Sequence, residues 1–255
     1  MRVQFLRAPK PIEGLMCLVR KAQLMPIDDT VPSGCEPLDA LLGGGFTVGG
    51  IVVVYGEAGT GKTTLVIQTA IAAARRGSKV LYIDTDHSFT HQRFSQLAGE
   101  DADAVSEQIL LFFPDTFSAQ TSLVESIENY LTKSARLLIV DTVTSLYRVS
   151  LGSAEQTFSL NRELNRQLAY LSEVALRRKI VVLLTSQVHA RMDFPFGRIE
   201  PVARRTLIHW PKTIIRLKNT PEQSKKEIVI ERRGGRQISS LKCVAKVTAH
   251  GFATV

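Results

Sequence analysis

Cysteine is scarce in this chain. The three that occur, Cys17, Cys35 and Cys243, are scattered and show no CxxC spacing, which argues against a disulfide framework and against a zinc site, and points to a reducing, cytoplasmic setting. Long apolar runs are missing too: none approaches the ~20 residues needed to cross a bilayer. The opening MRVQFLRAPKPIEG has no apolar centre followed by small residues, so it does not read as a secretory signal. There is no internal repeat and no low-complexity tract. The first 30 residues lack periodicity, and Pro9, Pro11, Pro26 and Pro32 punctuate the region, so residues 1–30 are expected to form a linker or weakly ordered arm ahead of a core spanning 31–255. His87 and His91 stand four apart with no third ligand in view, which excludes a metal site on that pair.

Acidic residues are sparse where basic ones gather. Of the net charge of +8, residues 191–255 supply +9, with 14 Lys+Arg against 5 Asp+Glu, whereas residues 1–190 carry −1. An excess confined to the last quarter suggests a polyanionic partner held by phosphate neutralisation and counterion release. The alternative is a solvated basic face that serves solubility.

What is present in quantity is short β-branched runs alternating with helical patterns. IVVVY (51–55), KVLYID (79–84), QILLFF (108–113), RLLIVD (136–141) and KIVVLLT (179–185) are continuous apolar runs, as expected of strands buried on both faces. Helical spacing covers 63–76, closed by Gly77, then 118–133 and 159–178. The alternation predicts an α/β fold with a doubly wound, mostly parallel sheet. TIIRL (213–217), EIVIE (227–231) and SLKCVAKVT (240–248) follow without room for crossover helices. They are expected to extend the sheet as antiparallel edge strands, with RRGGR (232–236) as a Gly-Gly hairpin turn.

Chemistry concentrates in YGEAGTGKTTLV, 55–66. Gly56, Gly61, Lys62 and Thr63 fit GxxxxGK[ST] between a predicted strand and a predicted helix, the context this phosphate-binding loop requires. The backbone amides of Gly56, Glu57, Ala58, Gly59, Thr60, Gly61, Lys62, Thr63 and Thr64, with the positive end of the helix, suit a triphosphate. Lys62 adds charge toward the terminal phosphates, and the Thr63 hydroxyl is a hard ligand for Mg²⁺. ATP with Mg²⁺ is therefore the expected cofactor. Asp141, ending ARLLIVD, is placed to hold the metal from a neighbouring strand. In YIDTDHSF, Asp86 is read as the base that orients the attacking water and Asp84 as structural; Gln187, just past KIVVLLTS, is placed to sense the γ-phosphate.

With these residues in hand, the chain resembles the RecA/RadA recombinases, and among them the archaeal single-domain paralogues of the RadB type. SGCEPLDALLGGGF, GEAGTGKTTL, YIDTDHSFTHQRF, VDTVTSLYR, NRELNRQLAYL and LLTSQVHA occur in the family's order across about 31–255. The resemblance implies a RecA-like ATPase core that binds ATP, Mg²⁺ and DNA and acts in homologous recombination or repair. Lys62, Thr63 and Asp141 match the nucleotide and metal positions, and Gln187 matches the residue reporting the γ-phosphate state to a DNA loop. Three departures follow: Asp86 stands where the family usually has glutamate, which implies slow hydrolysis; no helix-hairpin-helix domain precedes the core, which favours a paralogue; and the segment after Gln187 is short, which puts efficient strand exchange in doubt. FLRA (5–8) resembles the FxxA motif with which RadA subunits dock.

The segment HARMDFPFGRIEPVARRTLIHW (189–210) sets Arg191, Arg198, Arg204 and Arg205 among Phe194 and Phe196, a composition suited to single-stranded DNA. His209 and Trp210 are expected to pack. Arg162 and Arg166 follow a stretch, 149–158, that corresponds to the family's first DNA loop. Arg232, Arg233 and Arg236 at the hairpin read as contacts to DNA, as fingers reaching a neighbouring subunit's ATP, or as an exposed turn. A recombinase or junction-processing protein and further copies of the chain are the candidate protein partners. Two other classes compete with the recombination reading: a KaiC-like regulatory ATPase without direct DNA binding, which shares LLGGG and the phosphate loop, and a mediator that uses ATP only as a structural ligand.

Overall fold

The computed structural model describes residues 29–191 and 198–255, and only the backbone of 189–191, 198–199 and 239–240. The elements run β1 (Thr30–Val31), α1 (Glu36–Leu42), β2 (Phe46–Thr47), β3 (Gly50–Gly56), α2 (Lys62–Arg75), β4 (Lys79–Asp84), α3 (His91–Ala98), α4 (Ala102–Ser106) and β5 (Ile109–Phe112). They continue with α5 (Phe117–Ser126), β6 (Ala135–Asp141), α6 (Ser145–Val149), α7 (Ala154–Arg178), β7 (Val181–Ser186), β8 (Val188–Arg191), β9 (Arg198–Pro201), α8 (Arg204–His209), β10 (Thr213–Asn219), β11 (Lys225–Arg233), β12 (Arg236–Thr248) and β13 (Gly251–Ala253).

Nine strands form one sheet in the order β13-β12-β11-β10-β3-β7-β6-β4-β5. The continuous apolar runs put alternate side chains into two cores. Val52 and Val54 of β3 join Leu65, Ile71, Leu137 and Ile139 on the side of α1 to α3. Ile51, Val53 and Tyr55 join Leu138, Leu164, Leu171 and Val182 on the side of α5 and α7. This is the doubly wound α/β arrangement the alternation predicts.

Three local expectations are corrected. QILLFF is not buried on both faces: β5 is the sheet edge among the described residues, and Leu110 and Phe113 are 45% and 46% exposed. TIIRL is not antiparallel to the core, because β10 lies parallel to β3, from Thr213 opposite Val52 to Leu217 opposite Gly56. The β8–β9 hairpin and α8 supply the crossover that a reading of the apolar runs alone overlooked. Within the nine-stranded sheet only the pairings from β10 through β13 are antiparallel, and β11 turns into β12 at Gly234 and Gly235, both at positive φ, as the Gly-Gly signal requires.

Helix ends follow their caps. α2 closes with the Gly77 amide on the Ala74 carbonyl (2.8 Å) and the Ser78 amide on that of Ala73 (3.2 Å), the role expected of Gly77. α7 starts five residues before the predicted 159, because Ser153 and Gln156 form a reciprocal capping box. The predicted 118–133 helix stops at Ser126 and tightens into a 3₁₀ turn over Ile127–Tyr130. Cys35 and Cys243 are free thiols, and among the described residues no helix is long and apolar enough to cross a membrane.

Candidate functional site

The carboxyl ends of β3, β4, β6 and β7 converge on one crevice, the place where open α/β sheets hold ligands. β3 ends at Gly56, whose missing side chain is a packing requirement: a Cβ there would lie 2.4 Å from the Leu217 carbonyl oxygen and 2.9 Å from Thr60 Oγ1. The loop exposes Glu57, Ala58 and Gly59 and buries Thr60, whose hydroxyl donates to the Glu57 carbonyl (2.8 Å). Gly61 has φ +91 and leads into α2.

Lys62 is buried, and its Nζ donates to the carbonyls of Gly56 and Glu57, both at 2.9 Å. Burial lowers the pKa of the ammonium, while Asp141, Asp86 and Glu57 pull it back up. Asp141 lies at the bottom of the crevice, fully buried. Its carboxylate accepts from Thr185 Oγ1 and from Tyr82 OH (2.9 Å), and the Thr63 hydroxyl lies beside it. Burial raises its pKa against those three hydroxyls. The residues expected to hold the metal, Thr63 and Asp141, are thus neighbours in the crevice. Tyr82 and Thr185, which the motif reading passes over, fix the carboxylate; both point inward from strands flanking β6.

Asp84 and Asp86 separate by role. Asp84 is fully buried and accepts from the amides of Asp86 (3.2 Å), Ser88 (3.2 Å) and Phe89 (2.8 Å), which shapes the turn after β4. Asp86 reaches toward the mouth, where its Oδ2 accepts from Gln187 Nε2 at 3.2 Å. Two residues 101 positions apart, named separately as base and sensor, are therefore hydrogen-bonded partners.

Two supports of the loop carry no short motif. Phe252 of β13 packs on Gly61, with ring carbons 2.8 and 3.0 Å from where a Cβ would sit. Gln68 of α2 clamps that strand, donating to the Phe252 carbonyl (2.9 Å) and accepting from its amide (2.7 Å). Phe252→Leu should weaken binding of a non-hydrolysable ATP analogue about threefold to tenfold while costing less than ~1.5 kcal/mol of stability, as read by calorimetry and thermal melts; unchanged affinity would remove Phe252 as a prop of the loop. Arg93 of α3 also borders the loop, donating to Thr64 Oγ1 (3.4 Å) and to the Ala249 carbonyl (2.8 Å).

The predicted DNA residues gather at the hairpin and helix that follow β7. Arg191 and Arg198 are directly opposed across β8–β9, and Phe194 and Phe196 lie outside the described residues, as does FLRA. Arg205 is exposed, and Arg204 is paired with Glu200 at 3.3 Å. Trp210 donates to Asn165 Oδ1 (2.9 Å) and packs beside α7. Arg166 is held by Glu125 and Glu163, and Arg162 is exposed. Phe158 and Val149, 72% and 81% exposed, are exposed apolar side chains not singled out from sequence. The hairpin arginines divide: Arg232 donates to the Ile208 (2.5 Å) and Pro211 (3.3 Å) carbonyls, and Arg233 to those of Leu41 (3.1 Å) and Leu42 (2.9 Å). Both guanidinium groups are engaged within the chain, where they satisfy backbone carbonyls, including those ending α1. Arg236 is exposed.

Comparison with known proteins places this geometry. The Rad51 family model matches residues 24–251. The chain belongs to the Rad51 family. Curated relatives include the DNA repair and recombination protein RadB of Methanococcoides burtonii, 36% identical over 225 residues (88% of this chain, 98% of the relative). The protein of the same name from Thermococcus gammatolerans is 36% identical over 226 residues, with the same coverage. Among solved structures, that of the RadB recombinase superposes with a TM-score of 0.74 at 31% identity, covering 89% of this chain and all of the other. The α/β RecA-like fold of this family member, with its mixed sheet, is thereby established, and family members are in general nucleotide-binding ATPases.

Proposed function

We propose that this chain is a cytoplasmic, ATP-dependent DNA-binding recombinase paralogue, acting in homologous recombination or repair through a core of residues 31–255. The curated relatives named above carry recombination and repair names, and the KaiC-like alternative finds no support among them. The observation that carries the nucleotide reading is the convergence of Lys62, Thr63, Asp141, Asp86 and Gln187 on one crevice.

The residues fit Mg²⁺-ATP. Gly56 and Gly61 of the loop stand where a Cβ would meet neighbours, a buried ammonium lies beside carboxylates, and a buried carboxylate lies beside a hydroxyl at the helix start. Loop amides 56–64 and Lys62 would hold the phosphates; Thr63 and Asp141 would hold the metal. Mg²⁺-ATP supplies the phosphoanhydride whose hydrolysis drives a change of state. Asp86 orients a water and takes its proton at the carboxylate, with Gln187 fixing Oδ2. The same hydrogen bond ties the base to the start of β8, the strand that leads into the basic segment.

Single-stranded DNA is the proposed polyanion. Arg191 and Arg198 occupy directly opposed backbone positions across β8–β9, which gathers two cationic residues at one place for a phosphate backbone. With about four phosphates neutralised, log K should fall with log salt at a slope near −3, or roughly 50-fold between 50 and 200 mM. Arg204→Ala with Arg205→Ala should lower that slope by about one. Anisotropy titrations with a labelled oligonucleotide measure it, and salt-independent binding or none overturns the DNA reading.

A further inference from the structure

At the amino end of the sheet, away from the phosphate loop, a cavity of about 550 Å³ opens between the C-terminus of α2, the start of β6 and the chain before α1. Three cations from two segments line it, Arg76, Lys133 and Arg136, together with Ser78 and Ser134, and among the described residues no carboxylate is in its walls. Residues 1–190 carry a net charge of −1, so three cations in one concavity are a local concentration rather than part of the basic tail.

Local structure does not use these charges. The carbonyls at the end of α2 are already met by the Gly77 and Ser78 amides, so Arg76 is not needed as a cap. Its neighbour Arg75 is spent on Asp101 (2.7 Å). Arg76 and Lys133 make no hydrogen bond or ion pair through their side chains among the described residues, and Arg136 reaches only the Lys179 carbonyl at 3.5 Å. The carboxylate that feels Arg76, Asp39, lies outside the lining and accepts from the Ser33 amide at 2.8 Å. Residues 1–28 hold five basic and two acidic residues and are no electrostatic complement.

We propose that this cavity is a second phosphate-binding site, for a phosphate ester or polyphosphate anion, independent of the nucleotide crevice. Two guanidinium groups, an ammonium and two hydroxyls lining one concavity are the donor types that bind phosphate oxygens. The phosphate could come from the end of a nucleic-acid strand or from a small free polyphosphate.

The full chain carrying Lys62→Ala, which silences the crevice, is titrated with sodium tripolyphosphate in the calorimeter. Saturable one-to-one binding is expected, weakened at least tenfold by adding Arg76→Ala with Arg136→Ala, and also by Lys133→Glu. Lys133 is exposed in a turn, so its substitution leaves the fold intact, as a melting curve will show. No saturable heat, or heat unaffected by these substitutions, overturns the site. A 5′-phosphorylated oligonucleotide binding more tightly than its unphosphorylated twin, with the preference lost in Lys133→Glu, assigns the phosphate to nucleic acid; equal binding of the two assigns it to a small polyphosphate. Failure here leaves the crevice reading standing, since that is tested by how far Lys62→Ala alone lowers affinity for an ATP analogue with Mg²⁺.

Discussion

Lys62→Ala should reduce affinity for an ATP analogue with Mg²⁺ by at least about 100-fold, with the fold retained. The ammonium sits at the junction of the loop and α2, donates to the Gly56 and Glu57 carbonyls, and feels Asp141 and Asp86. Phosphates compete for that charge in a buried setting, where a charged contact is worth several times its value in water. Stability should change little, because the substitution removes a charge whose burial is costly along with the two hydrogen bonds that offset it. Calorimetry reads the affinity; a loss smaller than threefold would take the crevice out of nucleotide binding. DNA affinity measured without nucleotide should be unchanged, since the arginines proposed for DNA lie on the hairpin and helix that follow β7 and not on the phosphate loop.

Asp86→Glu should raise ATP hydrolysis by ten- to 100-fold. The carboxylate of Asp86 is one methylene closer to the backbone than a glutamate would be, and a displacement of about 1 Å in a catalytic group can cost ~100-fold. The structure sharpens this expectation, because Gln187 holds Asp86 Oδ2 at 3.2 Å, a long bond at the outer range for an N–H donor. A glutamate extends toward the phosphate end of the crevice and keeps Gln187 within reach. Phosphate release under single-turnover conditions measures the step, and a rate equal to or below that of the unsubstituted chain would refute the account of the short base. Gln187→Ala in the same assay should lower the rate by about tenfold without altering nucleotide affinity, separating a positioning group from a binding one.

The sequence legible by itself covered what is local and what is periodic. Gly56 to Thr64 is one contiguous loop whose chemistry depends on backbone amides and two side chains, so spacing alone specified it. Continuous apolar runs announced the strands buried on both faces, and Gly234-Gly235 announced the hairpin, because positive φ at two successive residues demands glycine. Asp141 was readable because it ends such a run.

Tertiary structure decided whatever depends on neighbours distant in the chain. Only folding made β5 an edge and β10 a parallel strand, since strand order is set by which faces the helices can cover and leaves no local trace. Only folding joined Asp86 to Gln187, set Tyr82, Thr185 and Thr63 around Asp141, pressed Phe252 against Gly61, and turned Arg232 and Arg233 inward to backbone carbonyls. An arginine in a sequence is a charge; whether it meets a carbonyl, a carboxylate or an open cavity is fixed by packing between segments that residue spacing does not encode.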